Sequence, residues 1–465
     1  MTTETMWVPD ITRIDGPRYL AVAAAIAKAI DSGELAPGAQ LPPQRDLADR
    51  LGVTVGTVSR AYALVKKRRL VSGEVGRGTF VEGVRRPAAA EAANADKTPR
   101  AVDFACFRSP VEGLSDLLAK ALMQVGERSA LLPLHKYPPG AGFMSHRTAG
   151  AAWIRRSGLN VGPENVLVCG GAQQAIAVAM LTFVGPGDIL LTERVTYSGT
   201  RSLATLHGIR LQGVAMDDDG MLPDALEEAC RATGARVVYL QSRLHNPTGI
   251  TMPAERQRQI VAVARRLDLI LVEDDAVASA STALPEPLAA LAPERTCYIT
   301  SVSKSISPLL RLGYIAVPPH LFERLAATYH TMALSESPVV AEVMALMMSN
   351  GWADDIARRY LEEMEQRHAL ARSLLPGVPM RSNPAAFFLW LTLPAHWSVD
   401  EFVPAAEREG LVLASAVNFT VDRDRPVHAV RVSLNPSTSQ EVLRRGLTTL
   451  AGLLAARPYP KTPVI

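Results

Sequence analysis

Apolar positions follow three different rhythms along this chain. Over residues 17–32, Tyr19, Val22, Ile26 and Ile30 recur at three- and four-residue steps, which predicts an amphipathic helix ended by Gly33. LAPGAQLPP follows as a Pro/Gly turn segment. Residues 43–51 predict a second short helix stopped by Gly52. Thr54 can cap a third, in which Val58, Ala61, Tyr62 and Val65 share one face. RLVSGEVGRGTFV, residues 69–81, predicts two short strands with glycines between them. Three helices and a β-hairpin wing make a winged helix-turn-helix, an α+β unit assigned to residues 11–83.

Residues 84–103 are rich in Ala, Pro and charge with no apolar period, and read as a linker. From Phe104 the rhythm changes to continuous apolar runs, NVLVCG, DILLTE, RVVYLQS, LILVEDD and CYITSVS, alternating with helical stretches. Such runs predict a mostly parallel sheet covered on both faces, an α/β fold. From about residue 375, FFLWLTL, a helix starting at Val399, LVLASAVNF and HAVRVSLNP predict a smaller α+β lobe that closes residues 104–465. The chain is therefore multidomain, and its 465 residues agree with that.

Composition adds less. The net charge is only +3, but residues 11–81 hold eleven Lys and Arg against six Asp and Glu, which suits a nucleic-acid partner. The four cysteines, Cys106, Cys169, Cys230 and Cys297, are widely spaced, and the nine histidines show no ligand spacing, so no metal is expected. MTTETMWVPDITRID lacks a basic start and an apolar run, and no stretch reaches about 18 apolar residues. A cytoplasmic protein without a membrane span is the expectation. The Met-rich HTMALSESPVVAEVMALMM reads as buried helix.

Chemistry concentrates in TSVSKSISPLLRLGY, residues 300–314. The amine of Lys304 can condense with an aldehyde, while Ser301, Ser303 and the guanidinium of Arg311 suit a phosphate. Pyridoxal 5′-phosphate carries both groups. Upstream, GGAQQA lies between a predicted strand and a predicted helix. There the N–H groups of Gly171 and Ala172, with the Gln173 amide, form an anion site.

Residues 17–81 resemble the GntR family of bacterial regulators, through GxLxPGxxLPxxRxLAxxLGV, then TVxxAY, then GxGTFV. The resemblance implies double-stranded DNA as partner. Arg45 would meet a phosphate or base, and the third helix would present Thr54, Thr57, Ser59 and Arg60 to the major groove. Arg77, between glycines, would serve the wing. Val55 stands where many members carry arginine.

Residues 104–465 resemble fold-type I aminotransferases, and the whole chain resembles MocR/GabR regulators. HNPTG, residues 245–249, matches the loop whose asparagine, Asn246 here, donates to the cofactor 3′-oxygen. Asp274 in LVEDDAV matches the aspartate of the pyridine nitrogen, with Asp275 as a substitute. Tyr197 matches the ring-stacking aromatic, and Tyr137 a tyrosine reaching the neighbouring subunit's phosphate. Arg431 matches the arginine that clamps an α-carboxylate, although its position also suits a structural salt bridge. Three departures stand out. Gly170 replaces a hydroxyl residue, Val195 replaces a proline, and Ala276 and Val277 occupy the positions of a tyrosine that bonds the 3′-oxygen.

Together these imply a regulator that senses a small amine or amino acid by aldimine exchange at Lys304 and works as a head-to-tail homodimer. The alternatives are an active aminotransferase of the kynurenine/2-aminoadipate kind with an accessory DNA-binding domain, and a DNA-binding protein with a vestigial cofactor site.

Overall fold

The computed structural model describes residues 7–9, 11, 17–31, 34–35, 39–67, 70–74, 78–81, 101–127, 137–422 and 427–457. The chain divides into two compact units, Met1–Pro99 and Arg100–Ile465. Gly33, Arg77 and linker residues 84–100 lie outside the described residues.

In the first unit, helix Arg18–Asp31 buries Val22, Ile26 and Ile30 against helix Val55–Lys67, which contributes Val58, Ala61, Tyr62 and Val65. Helix Gln44–Leu51 ends at Gly52, whose φ of 61° is the left-handed conformation glycine adopts without a Cβ penalty. Thr54 caps the third helix by accepting the Thr57 N–H at 3.3 Å. The wing has one strand more than the sequence predicts. Gln40–Leu41 pairs antiparallel with Gly78–Val81, which also pairs with Val71–Glu74. Two residues inside a Pro/Gly segment carry too little alternation to signal a strand.

The second unit is built on a seven-stranded sheet. From edge to edge its strands are Val166–Cys169, Gly313–Ala316, Thr296–Ser301, Ile270–Asp274, Val237–Leu240, Ile189–Glu193 and Arg210–Val214. Gly313–Ala316 runs antiparallel to both neighbours, and every other pairing is parallel. The five predicted strands are all present; three are buried at every position and the other two at every position but the first, as expected of a sheet covered on both faces. Helix Met144–Arg155 sits so close to the sheet that a Cβ at Gly150 would lie 2.5 Å from the Tyr314 ring.

The C-terminal ends of the parallel strands, and the loops that follow them, carry Tyr197, Gln241, Asn246, Asp274 and Lys304. Crevices at that edge of an open α/β sheet are where ligands bind.

The smaller lobe pairs Met380–Ser382, Phe388–Thr392, Ala429–Ser433 and Ala414–Ser415 antiparallel, backed by helices Val399–Arg408 and Gln440–Ala455. Val102–Asp103, grouped with the linker by composition, instead pairs parallel with Leu411–Val412, and Phe104 behind it is buried. The Met-rich segment is two helices, Pro319–Ala333 and Pro338–Ser349, with Met344 and Met347 buried but Met332 41% exposed. Among the described residues no helix is long and apolar enough to cross a membrane, and no cluster of His, Cys, Asp or Glu could hold a metal.

Candidate functional site

One cavity of about 270 Å³ gathers most of the candidate residues. Ala172, Gln173, Tyr197, Asn246, Asp274, Ser301, Ser303, Lys304, Arg311 and Arg431 all line it. Tyr137 does not; it is 80% exposed on the surface of the chain.

Strand Thr296–Ser301 delivers Lys304 three residues beyond its end. The ammonium lies 4.2 Å from the ring centre of Phe107 and 5.0 Å from that of Phe387. Burial first, then the guanidiniums of Arg431 and Arg311, pull its pKa down to about 8. The neutral, nucleophilic amine is therefore within reach near neutral pH.

At one end of the cavity Arg311, in a left-handed backbone conformation (φ 46°), sends Nη1 to Ser303 Oγ at 3.4 Å. Its Nη2 would lie 3.0 Å from a Cβ on Gly171, which caps helix Ala172–Phe183 at φ 90°. The helix N-terminus and the guanidinium thus converge, an arrangement suited to a phosphate. Two details differ from the expected donor set. The Gly171 N–H already donates to Cys169 O at 2.8 Å, so this glycine gives room rather than a free donor. Ser301 Oγ donates to Leu312 O at 3.2 Å and accepts from the Ser303 N–H at 3.1 Å.

Gly170 has a local reason to lack a side chain. A Cβ there would lie 2.7 Å from Glu336 Oε2 and 2.9 Å from Gln174 Oε1, and Gln174 accepts the Gly170 N–H at 2.6 Å. Where the family this chain resembles more often has a hydroxyl, a carboxyl reaches in from the turn between two helices. Burial raises the proton affinity of Glu336, and Arg311 opposes it.

At the other end Asp274 is fully buried and well held. Tyr239 donates to its Oδ2 at 2.6 Å and Gln241 Nε2 at 3.1 Å, while the Ala276 N–H reaches Oδ1 at 3.1 Å. Burial raises its pKa, and these hydrogen bonds hold the carboxylate form against that. Asp275 points elsewhere, into a buried pair with Arg243 and a 2.5 Å bond from Tyr298, so it does not substitute for Asp274. Gln241 also accepts the Asn246 N–H at 3.0 Å, tying the two loops together. Ala276 and Val277 present only aliphatic surface to the cavity.

Arg431, on strand Ala429–Ser433, is 8% exposed. Its Nη1 donates to Asn246 Oδ1 at 3.0 Å and Nη2 to Ala105 O at 2.8 Å, but Nε is buried without a partner. Rings of Phe387, Phe388 and Phe419 stand 5.1–5.7 Å from its Cζ. Among the described residues no carboxylate pairs with it, so the structural salt bridge is not found, and burial lowers its pKa to about 10. A buried guanidinium with a free N–H suits a bound carboxylate.

Of the DNA-facing candidates, Arg45, Thr54 and Arg60 are exposed and Thr57 half-buried. The Thr54 and Thr57 hydroxyls bond each other at 2.9 Å. Ser59 Oγ is turned inward to Gln44 Oε1, so its hydroxyl holds two helices together rather than facing outward. Tyr239, Gln241, Phe107, Phe387 and Glu336 had no sequence signal, since none sits in a motif of its own.

Residues 112–450 match the family Aminotransferase class I and II, and residues 18–81 match Bacterial regulatory proteins, gntR family. The HTH-type transcriptional regulator YdeF of Bacillus subtilis is 29% identical over 96% of both chains. YdcR of Escherichia coli, also named an HTH-type transcriptional regulator, is 25% identical over 87% of this chain and 92% of its own. In fold, a Pyrococcus horikoshii kynurenine aminotransferase superposes with a TM-score of 0.70 at 22% identity, covering 84% of this chain and 98% of its own. The orphaned Arg431 Nε, the Arg311 cradle and the held Asp274 carboxylate all fit pyridoxal 5′-phosphate and an amino-acid-like partner. The chain belongs to the class I and II aminotransferase family, with pyridoxal 5′-phosphate as its cofactor, and a gntR-type DNA-binding domain precedes that part of the chain.

Proposed function

We propose that this pyridoxal-phosphate-dependent, DNA-binding transcription regulator senses a small amine or amino acid in the Lys304 cavity. The observation that carries the reading is the buried, carboxylate-free Arg431 in the same cavity as the depressed Lys304 amine. When bound, the cofactor supplies an aldehyde that takes up primary amines and a ring that withdraws electrons.

The chain's own groups then divide the work. Ser303, Arg311 and the first N–H groups of helix Ala172–Phe183 hold the phosphate, with Ser301 bracing Ser303. Asp274 would accept the pyridine N–H, kept in place by Tyr239 and Gln241. Tyr197 would stack on the ring, with its phenol packed on Gly199, where a Cβ would lie 2.3 Å from it. Asn246 would donate to the 3′-oxygen, and Arg431 would receive the effector carboxylate. Two copies pair head to tail, bringing the exposed Tyr137 to the partner's cofactor phosphate. Arg45, Thr54, Thr57 and Arg60, with Arg77 of the wing, contact DNA, and the protein is cytoplasmic.

Binding of the full chain to its own upstream DNA, measured with and without a panel of amines, tests this. Affinity should fall steeply as salt rises from about 50 to about 200 mM. Arg45→Ala should weaken binding several-fold while the cofactor's absorbance stays unchanged. DNA affinity that no amine alters would sink the sensor reading. The gathering of Lys304, Asp274 and Asn246 in one cavity also favours a second reading, a working aminotransferase. A coupled assay with 2-oxoglutarate separates the two.

A further inference from the structure

Resting on the reading that Asp274 takes the N–H of the cofactor ring, we infer that Glu193 is a positioning residue for that end of the site. Acting through Gln241 and Asp274, its carboxyl sets how tightly the ring nitrogen keeps its proton. Glu193 is fully buried within one copy of the chain and is not part of the cavity lining.

Three neighbouring strand ends bring the groups together. Strand Ile189–Glu193 lies parallel to Val237–Leu240 with Leu191 opposite Val238, so Glu193 ends level with Leu240. On the other side Leu240 stands opposite Glu273, which places Gln241 beside Asp274. Gln241 is then held at both ends. Its backbone N–H donates to Glu193 Oε1 at 2.7 Å, and its side-chain Nε2 donates to Asp274 Oδ2 at 3.1 Å. Tyr239, on the strand between the two acids, donates to the same Asp274 oxygen and lies in the field of Glu193 as well. Thr192 donates to Glu193 Oε2 at 3.3 Å. Two carboxyl groups therefore share one glutamine, and one of them is the partner of the ring nitrogen.

Holding a backbone N–H does not by itself call for a carboxyl. Glutamine in its place would accept the same N–H without the cost of burying a charge. The neighbouring buried acid, Glu273, has a different task. It accepts from Ser242 Oγ and from the N–H groups of Leu288 and Ala289, and so anchors the start of helix Leu288–Leu291. Burial pushes the Glu193 pKa up to about 7; the hydrogen bonds from Gln241 and Thr192 oppose that rise, and Asp274 adds to it. The carboxyl thus changes charge in the neutral range. Once ionised, it disfavours a bare negative charge at Asp274 and raises the proton affinity of the pair that Asp274 makes with the ring nitrogen. The electron withdrawal of the ring then depends on the state of a residue that touches neither cofactor nor effector.

The test is nitrogen NMR of the full chain loaded with cofactor isotope-labelled at the ring nitrogen, followed against pH. Glu193→Gln keeps an acceptor for the Gln241 N–H but carries no charge. It should move the pH at which the ring nitrogen loses its proton down by roughly half a unit or more. Thr192→Val removes a donor to the ionised carboxyl, so it should move the same midpoint down by less. In a Gln241→Leu background the effect of Glu193→Gln should shrink. A midpoint that stays put or rises in both Glu193→Gln and Thr192→Val would overturn the inference, and an undiminished shift in the Gln241→Leu background would overturn the route through Gln241. If Asp274→Asn leaves the ring nitrogen titrating as in the unaltered chain, the reading of Asp274 as its partner fails instead.

Discussion

The Lys304 amine is buried between two aromatic rings and near two guanidiniums, and its burial first, then the guanidiniums, disfavour its proton. An ordinary lysine keeps its proton to about pH 10.4. Folded Lys304 releases it near 8, so between those values the unfolded chain binds more protons than the folded one. The contribution of Lys304 to the stability of the cofactor-free protein therefore rises with pH from about 8 to about 10.4. Labelling of Lys304 by an amine reagent should show a midpoint near 8, and Arg431→Gln should raise it by removing a neighbouring cation. A midpoint at the ordinary lysine value would mean that water reaches the amine freely. Lys304 itself was legible in the sequence because serines and an arginine at fixed spacing surround it. Its rings were not, because Phe107 and Phe387 come from segments about 200 and 80 residues away and meet only in the fold.

At the scale of elements, strands and helices were legible wherever burial imposes a long pattern. The uninterrupted runs of the central strands are one case, and the apolar face of helix Val55–Lys67 is another. Gly313–Ala316 escaped notice because it follows the Lys304 loop and its four residues carry no alternation. Gly170 was legible only as a departure, and its cause lies in the turn between helices Pro319–Ala333 and Pro338–Ser349, which supplies Glu336. Gly170→Ser should force Glu336 and Gln174 away from the helix N-terminus and loosen the cofactor, measured as faster loss of absorbance on dialysis. The double variant Gly170→Ser with Glu336→Ala removes the obstruction and should retain cofactor better than the single one. Equal loss in both would show that Glu336 does not constrain this corner.

At the scale of the molecule, an aminotransferase-family domain is joined in one chain to a gntR-type domain. Fold-type I relatives of the kind this chain resembles place a tyrosine near the 3′-oxygen, whereas here Ala276 and Val277 line the cavity. Loss of one such hydrogen bond costs on the order of 1 kcal/mol. On the proposed reading, uptake of an amine needs only Lys304, the phosphate cradle and Asp274, and Lys304, Ser303, Arg311 and Asp274 all line the cavity. Completing an amino transfer further requires repeated, well-timed proton movement beside the ring. The cofactor spectrum should therefore respond to amino acids while keto acid accumulates very slowly, and Val277→Tyr should shift the pH at which the spectrum changes. Simultaneous absorbance and keto-acid measurements on the same sample check both halves. Sustained turnover by the unaltered protein at roughly 1 to 1000 per second, the range of ordinary enzymes, would mean that the gntR-type domain accompanies an enzyme and that Ala276 and Val277 cost it nothing.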